Sequence, residues 1–205
     1  MEQKATNIKW QDRKVTLEDV EKRNGHKGCV VWMTGLSAAG KSTIAINLEK
    51  KLFDKGYQVC LLDGDNIRHG LNKDLGFSPQ DREENIRRIG ELAKLLANYG
   101  LIVITAFISP YKIHRNQARL LLENGRFFEI YIKCSLKECA RRDPKGLYKK
   151  AFAGEIQDFT GVSAPYEEPE NPELIVDTEK LSIEESTEKI YRLLITSGII
   201  DNNVS

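Results

Sequence analysis

Short apolar runs alternate with amphipathic stretches along most of this chain. Residues 29–33, 58–62, 101–106, 127–132 and 174–176 are apolar runs containing β-branched or aromatic residues, and they predict five strands. Helical patterns lie between and after them, over 42–53, 81–99, 113–123, 136–142 and 183–196. Ile44, Leu48 and Leu52 recur at helical spacing, and Ile86, Ile89, Ala93 and Leu96 form an expected buried stripe. This alternation predicts an α/β fold, a three-layer domain with a largely parallel five-stranded sheet. Strands and crossovers use nearly the whole chain, so residues 1–205 are expected to form one domain behind a polar lead-in over residues 1–25. Two stretches break the rhythm. Residues 71–80 read as a loop, and residues 143–172, with Gly146, Gly154, Gly161 and four prolines, form a connection long enough to be a functional lid.

The first predicted strand runs directly into Gly35-Leu36-Ser37-Ala38-Ala39-Gly40-Lys41-Ser42-Thr43, which contains the G-x-x-x-x-G-K-[ST] pattern and opens the first long helix. In that setting the pattern is a phosphate-binding loop. Backbone N–H groups wrap phosphates at a helix N-terminus, Lys41 reaches the terminal phosphates, and the Ser42 hydroxyl holds Mg²⁺. The fold expectation narrows to a P-loop NTPase-type domain that binds a nucleoside triphosphate.

Composition removes some alternatives. Lys plus Arg (31) and Asp plus Glu (30) nearly cancel, so no global positive field favours nucleic acid or an anionic membrane. No apolar run is long enough to cross a bilayer, and a cytoplasmic protein is expected. Four cysteines are too few for a disulfide scaffold; Cys29, Cys60, Cys134 and Cys139 are expected to be reduced and structural. His26 and His114 are expected to be solvated loop residues, whereas His69 shares a segment with charged site candidates.

That segment, Asp63-Gly64-Asp65-Asn66-Ile67-Arg68-His69, follows the second strand and places two carboxylates and a cation beside the phosphate loop. Phosphoryl transfer needs this inventory: Asp63 or Asp65 to orient Mg²⁺ or accept a proton, and Arg68 to neutralise an anionic acceptor. Arg82 and Asn85 share one face at the start of the long helix, while Glu83, Glu84 and Arg87 are expected to be solvated. Ser109 and Pro110 follow the third strand, where the serine could cap a helix or face the cleft. The run from Arg141 to Lys150 concentrates five cations around Pro144 and Gly146 and could close over both substrates, excluding water.

Taken together these blocks resemble the adenylylsulfate kinase (APS kinase) family over essentially the full length. The resemblance rests on Asn7-Ile8-Lys9-Trp10, the phosphate loop, residues 63–71, Leu75-Gly76-Phe77-Ser78, residues 82–90, Thr105 to Pro110, residues 142–151, Phe159-Thr160-Gly161 and Pro165-Tyr166-Glu167. It implies transfer of the γ-phosphate of ATP to the 3′-hydroxyl of adenosine 5′-phosphosulfate (APS), with Mg²⁺ as cofactor and a homodimer as assembly. By the same resemblance Arg68, Phe77, Arg82, Asn85 and Ile108 line the acceptor pocket, with Phe77 stacking on the adenine and the arginines meeting the phosphosulfate. Phe159 supplies a second aromatic wall, Lys149 or Lys150 reaches the acceptor or the transferred phosphate, and Arg142 approaches ATP.

The family assigns the serine matching Ser109 as a phosphoserine intermediate. Transfer between two bound nucleotides needs only alignment and charge neutralisation, so direct in-line transfer is expected here, with Asp63 near Mg²⁺ and the acceptor hydroxyl, and Ser109 positioning groups. Three residues depart from the family pattern: Ala38 where glycine is usual, Ala164 where aspartate often precedes Pro-Tyr-Glu, and Phe152 after Lys-Lys-Ala. The competing readings are another small-metabolite P-loop kinase and a GTPase-like switch. The switch would need Asn-Lys-x-Asp, and Asn72-Lys73-Asp74 has the wrong spacing.

Overall fold

The computed structural model describes residues 5–9 and 11–201; Trp10 of the lead-in motif lies outside the described residues, as does Met1. Five parallel strands, β1 (Cys29–Thr34), β2 (Val59–Asp63), β3 (Ile102–Ala106), β4 (Phe127–Lys133) and β5 (Leu174–Asp177), form one sheet in the order β2-β3-β1-β4-β5. The central strands β1 and β3 are buried at every position, as a parallel sheet covered on both faces requires. The expected fold class is borne out, and each predicted strand lies within a residue or two of its observed bounds.

The two faces of the sheet feed two apolar clusters. Val31, Met33, Ile104 and Ile130 pack with Ile44, Leu48 and Leu52 of α2 (Lys41–Asp54) and with Ile190 and Leu194 of α8 (Ile183–Thr196). On the opposite face Val30, Trp32, Val103 and Phe107 pack against Ile86, Ile89 and Ala93 of α4 (Pro79–Ala97), with Ala118 of α5 (Lys112–Arg119). α6 (Leu136–Arg142) follows β4. α4 begins two residues before its predicted start because Ser78 accepts from the Asp81 N–H as N-cap and Pro79 suits the first turn. Leu96 of the expected stripe is only half-buried, and α5 ends at Arg119, four residues short of the prediction.

Three helices were not predicted. α1 (Leu17–Asn24) lies in the polar lead-in, closed by a Thr16/Asp19 capping box and the left-handed Gly25. α3 (Gly64–Arg68) is capped by Asp63, and α7 (Leu147–Phe152) falls inside the expected lid. Both Asp143 carboxylate oxygens accept N–H groups of α7, from Tyr148 and Lys149, each at 3.1 Å.

Three surface assignments need correction. His26 is not solvated: it is buried against Tyr57, its Nε2 accepts from the Gln58 N–H at 3.0 Å, and its Nδ1–H faces the Lys27 carbonyl. Glu84 is half-buried and accepts from both Arg87 and Arg88, which holds it well below the usual carboxylate range, at about 2. His114 is likewise half-buried, edge-on to Tyr111, with its Nδ1 sealed and unpartnered. Among the described residues no helix is long and apolar enough to cross a membrane.

Candidate active site

The carboxyl ends of β1, β2, β3 and β5 open onto one continuous cleft of about 1030 Å³, where a doubly wound sheet places its ligands. The phosphate loop forms its floor at one end. A Cβ at Gly35 would run into the Ile132 carbonyl oxygen, so only glycine fits that position. Ala38 and Gly40 both adopt positive φ, +60° and +105°. Lys41 is 8% exposed, donates to the Gly35 and Leu36 carbonyls at 2.9 and 2.7 Å, and is pulled by burial down to about 8. Ser37, Ala38, Gly40, Ser42 and Thr43 line the cleft, whereas Gly35, Leu36 and Ala39 support the loop from behind.

The Ser42 hydroxyl donates to Asp63 Oδ2 at 2.7 Å, while Asp63 Oδ1 accepts from the Asp65 N–H at 3.0 Å. The cap of α3 therefore fixes one carboxylate oxygen and leaves the other on the loop hydroxyl. Asp65 pairs across the cleft with Lys145, which lies just before α7. Beside the phosphate loop Arg142 donates to Thr178 Oγ1 at 3.1 Å and to its carbonyl at 2.8 Å, and the Thr178 hydroxyl reaches back to the Ala39 carbonyl.

At the other end Phe77 stands 62% exposed with the Arg68 guanidinium 4.4 Å from its ring centre. Arg68 also donates to the carbonyls of Leu75 and Gly76, each at 3.0 Å. Arg82 ties α4 to residues 158–160 through the Asp158 carbonyl (2.6 Å) and Thr160 Oγ1 (2.9 Å). Phe159 faces this pocket from the core side, edge-on to Tyr148 at 5.0 Å. Asn85, Ile108 and Ser109 complete the wall. Ser109 is buried with φ +39°, and its Oγ accepts from Trp32 Nε1 at 3.2 Å.

Comparison with known proteins decides the family. The adenylylsulphate kinase family model matches residues 27–177. The chain belongs to that family. The adenylyl-sulfate kinase of Staphylococcus epidermidis is 59% identical over 190 residues, covering 93% of this chain and 96% of the relative. That of Staphylococcus carnosus is 57% identical over 197 residues, 96% and 99% of the two chains. Among solved structures, the APS kinase of Mycobacterium tuberculosis in complex with AMPPNP and APS is 48% identical with a TM-score of 0.78, covering 82% of this chain and 98% of that one. The family read from the motifs is borne out.

Within this adenylylsulphate kinase fold the structure separates the lysines of the basic run. Lys145 lines the cleft; Lys149 and Lys150 lie on the exposed side of α7 and do not. Two residues that sequence reasoning missed organise the walls. Tyr148 is buried and its hydroxyl donates to the Ser37 carbonyl at 3.0 Å. Arg115, whose side chain is 1% exposed, pairs with Glu129 at 2.6 Å and donates to the carbonyls of Ser109 (2.7 Å) and Glu167 (2.8 Å). Only the cationic periodicity of α5 hinted at Arg115, and nothing local distinguished it from Arg119. Of the departures from the family pattern, Phe152 is exposed beside Tyr148, and the Ala164 carbonyl accepts the Gly161 N–H at 2.7 Å.

Proposed function

We propose that this protein transfers the γ-phosphate of ATP to the 3′-hydroxyl of adenosine 5′-phosphosulfate, giving 3′-phosphoadenosine 5′-phosphosulfate and ADP. One observation carries the reading: a phosphate loop with its Ser42–Asp63 contact opens directly onto a pocket bearing two arginines and two phenylalanine rings. Dianionic, planar-headed acceptors call for that pairing of guanidinium groups and aromatic faces. The solved Mycobacterium tuberculosis relative, bound to AMPPNP and APS, supports the same pair of substrates.

In this reading Gly35 to Thr43 wrap the ATP phosphates, with Lys41 turning from loop carbonyls to the terminal phosphates and Arg142 on the nucleotide side. Phe77 and Phe159 flank the acceptor adenine, Arg68 and Arg82 meet its phosphosulfate, and Asn85 and Ile108 shape the pocket. The acceptor oxygen attacks the γ-phosphorus as the bond to the bridging oxygen of ADP breaks, and Asp63 is placed to take the hydroxyl proton. Lys145, held by Asp65, takes the role that the family resemblance gave to Lys149 or Lys150. Ser109 positions groups and stays unmodified. Ser42 and Asp63 fit Mg²⁺: a hydroxyl and a carboxylate are hard oxygen donors, and one or two protein ligands beside substrate phosphates are its usual complement. When bound, the ion neutralises phosphate charge. Residues 1–205 act as one domain with residues 143–172 as its lid, in a cytoplasmic homodimer whose mass sedimentation would measure.

The test is ADP release by the purified protein with Mg·ATP and each of adenosine 5′-phosphosulfate, AMP, gluconate, shikimate and no acceptor. Turnover with the phosphosulfate alone, yielding the 3′-phosphorylated product, is expected. Turnover with another acceptor would replace the substrate, and acceptor-independent hydrolysis alone would overturn the kinase reading.

A further inference from the structure

Asn72 and Asn85 form a buried side-chain pair behind the acceptor end of the cleft. Asn72 is wholly buried and Asn85 is 5% exposed. Asn72 Nδ2 donates to Asn85 Oδ1 at 2.9 Å, and Asn72 Oδ1 is sealed with no partner. Asn85 lines the cleft and Asn72 does not. A bare buried amide oxygen costs about 1–3 kcal/mol, a cost that an apolar residue would avoid, so the use of Asn72 lies in its N–H.

Two amide orientations compete at such a pair. The observed one leaves a single oxygen bare. The reverse would turn Asn85 Nδ2 toward Asn72 and leave both N–H groups of Asn72 sealed without an acceptor, and bare buried donors are the rarer defect. The backbone around Asn72 allows it little escape. Its N–H donates to the Ile67 carbonyl and its own carbonyl accepts from Leu75, each at 3.1 Å. Arg88 holds the neighbouring Leu71 carbonyl and the Asp74 carboxylate against α4.

We propose that Asn72 is a positioning residue that sets the polarity of the acceptor pocket: by engaging Asn85 Oδ1 it presents the Asn85 N–H groups, and not its oxygen, to the cleft. The ligand group recognised there is a hydrogen-bond acceptor, an anionic oxygen or an unprotonated ring nitrogen, and a donor such as an exocyclic amine is rejected. The inference rests on the proposed function only in taking adenosine 5′-phosphosulfate as the ligand beside Asn85.

The experiment is calorimetric binding of adenosine 5′-phosphosulfate to the ADP-loaded full chain at pH 8, with ADP binding measured separately. Asn72→Leu, close in volume, frees the Asn85 amide and is expected to weaken phosphosulfate binding about tenfold while ADP binding stays within twofold. Asn72→Asp offers a carboxylate to Asn85 Nδ2, turns the Asn85 oxygen into the cleft, and is expected to weaken binding further than Asn72→Leu. In an Asn85→Ala background Asn72→Leu should have no additional effect on phosphosulfate binding. Unchanged phosphosulfate affinity in Asn72→Leu, an equal loss of ADP affinity, or a full effect persisting beside Asn85→Ala would each overturn the proposal. If Asn72→Asp does not fold, the Asn72→Leu and Asn85→Ala cycle decides alone. Failure of the wild-type chain to bind the phosphosulfate would instead bring down the proposed function, and this inference with it.

Discussion

The Tyr148 hydroxyl donates to the Ser37 carbonyl at 3.0 Å, so α7 is tied to the phosphate loop. The same ring stands edge-on to Phe159 at 5.0 Å, so one buried phenol touches both ends of the cleft. Tyr148→Phe keeps the ring packing and removes one hydrogen bond, a loss of about 1 kcal/mol. Steady-state kinetics should show the KM for ATP rising several-fold with the acceptor KM nearly unchanged, and the melting temperature should fall by about 2–4 °C. A larger rise in the acceptor KM than in the ATP KM would place the hydroxyl's effect elsewhere.

Ser109→Ala separates direct transfer from a phosphoserine route. The substitution deletes the acceptor of the Trp32 indole N–H, so about 1–3 kcal/mol of stability should be lost. The backbone of Ser109 stays held, because its carbonyl accepts from Arg115. Turnover is expected to stay within about tenfold of wild type, the ordinary range for losing one positioning hydrogen bond. Complete loss of turnover in a folded, ATP-binding variant would favour the covalent route, as would a phosphoserine found at this position by mass spectrometry during turnover.

Ala38 sits in the phosphate loop at φ +60°, a conformation that costs an L-residue with a Cβ about 1–2 kcal/mol. Ala38→Gly relieves that strain but frees the unfolded chain by about 0.4–1 kcal/mol, so a net gain of about 0–1.6 kcal/mol is expected. For a chain of this length that is a rise in melting temperature of no more than about 6 °C, read by scanning calorimetry, with ATP binding preserved. A lower melting temperature would mean that the Ala38 methyl contributes packing that outweighs its backbone strain.

The parts legible in the sequence were those governed by local pattern. Largely apolar runs located all five strands, most clearly β1 and β3, which helices on both faces of the sheet bury at every position, and the glycine spacing of residues 35–40 located the phosphate loop. The missed helix α1 buries only Val20, so its apolar signal was weak, although Thr16, Asp19 and Gly25 carried its boundaries. The resemblance pointed to Lys149 or Lys150, but both lie on the exposed side of α7 and it is Lys145, just before that helix, that lines the cleft. Asn72, Arg115 and Tyr148 were illegible for a common reason: each is a polar side chain buried by a partner distant in sequence, and no local pattern announces such a partner.

His26 should give the fold a pH dependence in a defined window. Burial pushes its pKa below the ordinary value of 6.5. Its Nε2 accepts from the Gln58 N–H, so a proton on that nitrogen would set donor against donor. The unfolded chain takes up this proton near pH 6.5 and the folded chain only at lower pH, so between the two values the unfolded state binds more protons. The stability tied to neutral His26 is therefore full above about pH 6.5 and declines as pH falls toward the folded value, by at most about 1.4 kcal/mol per pH unit. The neighbouring Glu21, held low by Arg126 and the Gly28 N–H despite an opposing desolvation penalty, titrates below the ordinary carboxylate value of 4.5 and does not share the window. His26→Gln retains an acceptor for the Gln58 N–H and has no proton to gain. Urea unfolding at pH 5.0, 6.0 and 7.5 should show wild-type stability falling between the upper and lower values, with a flatter profile for His26→Gln. Parallel profiles for the two proteins would assign the pH dependence to other groups.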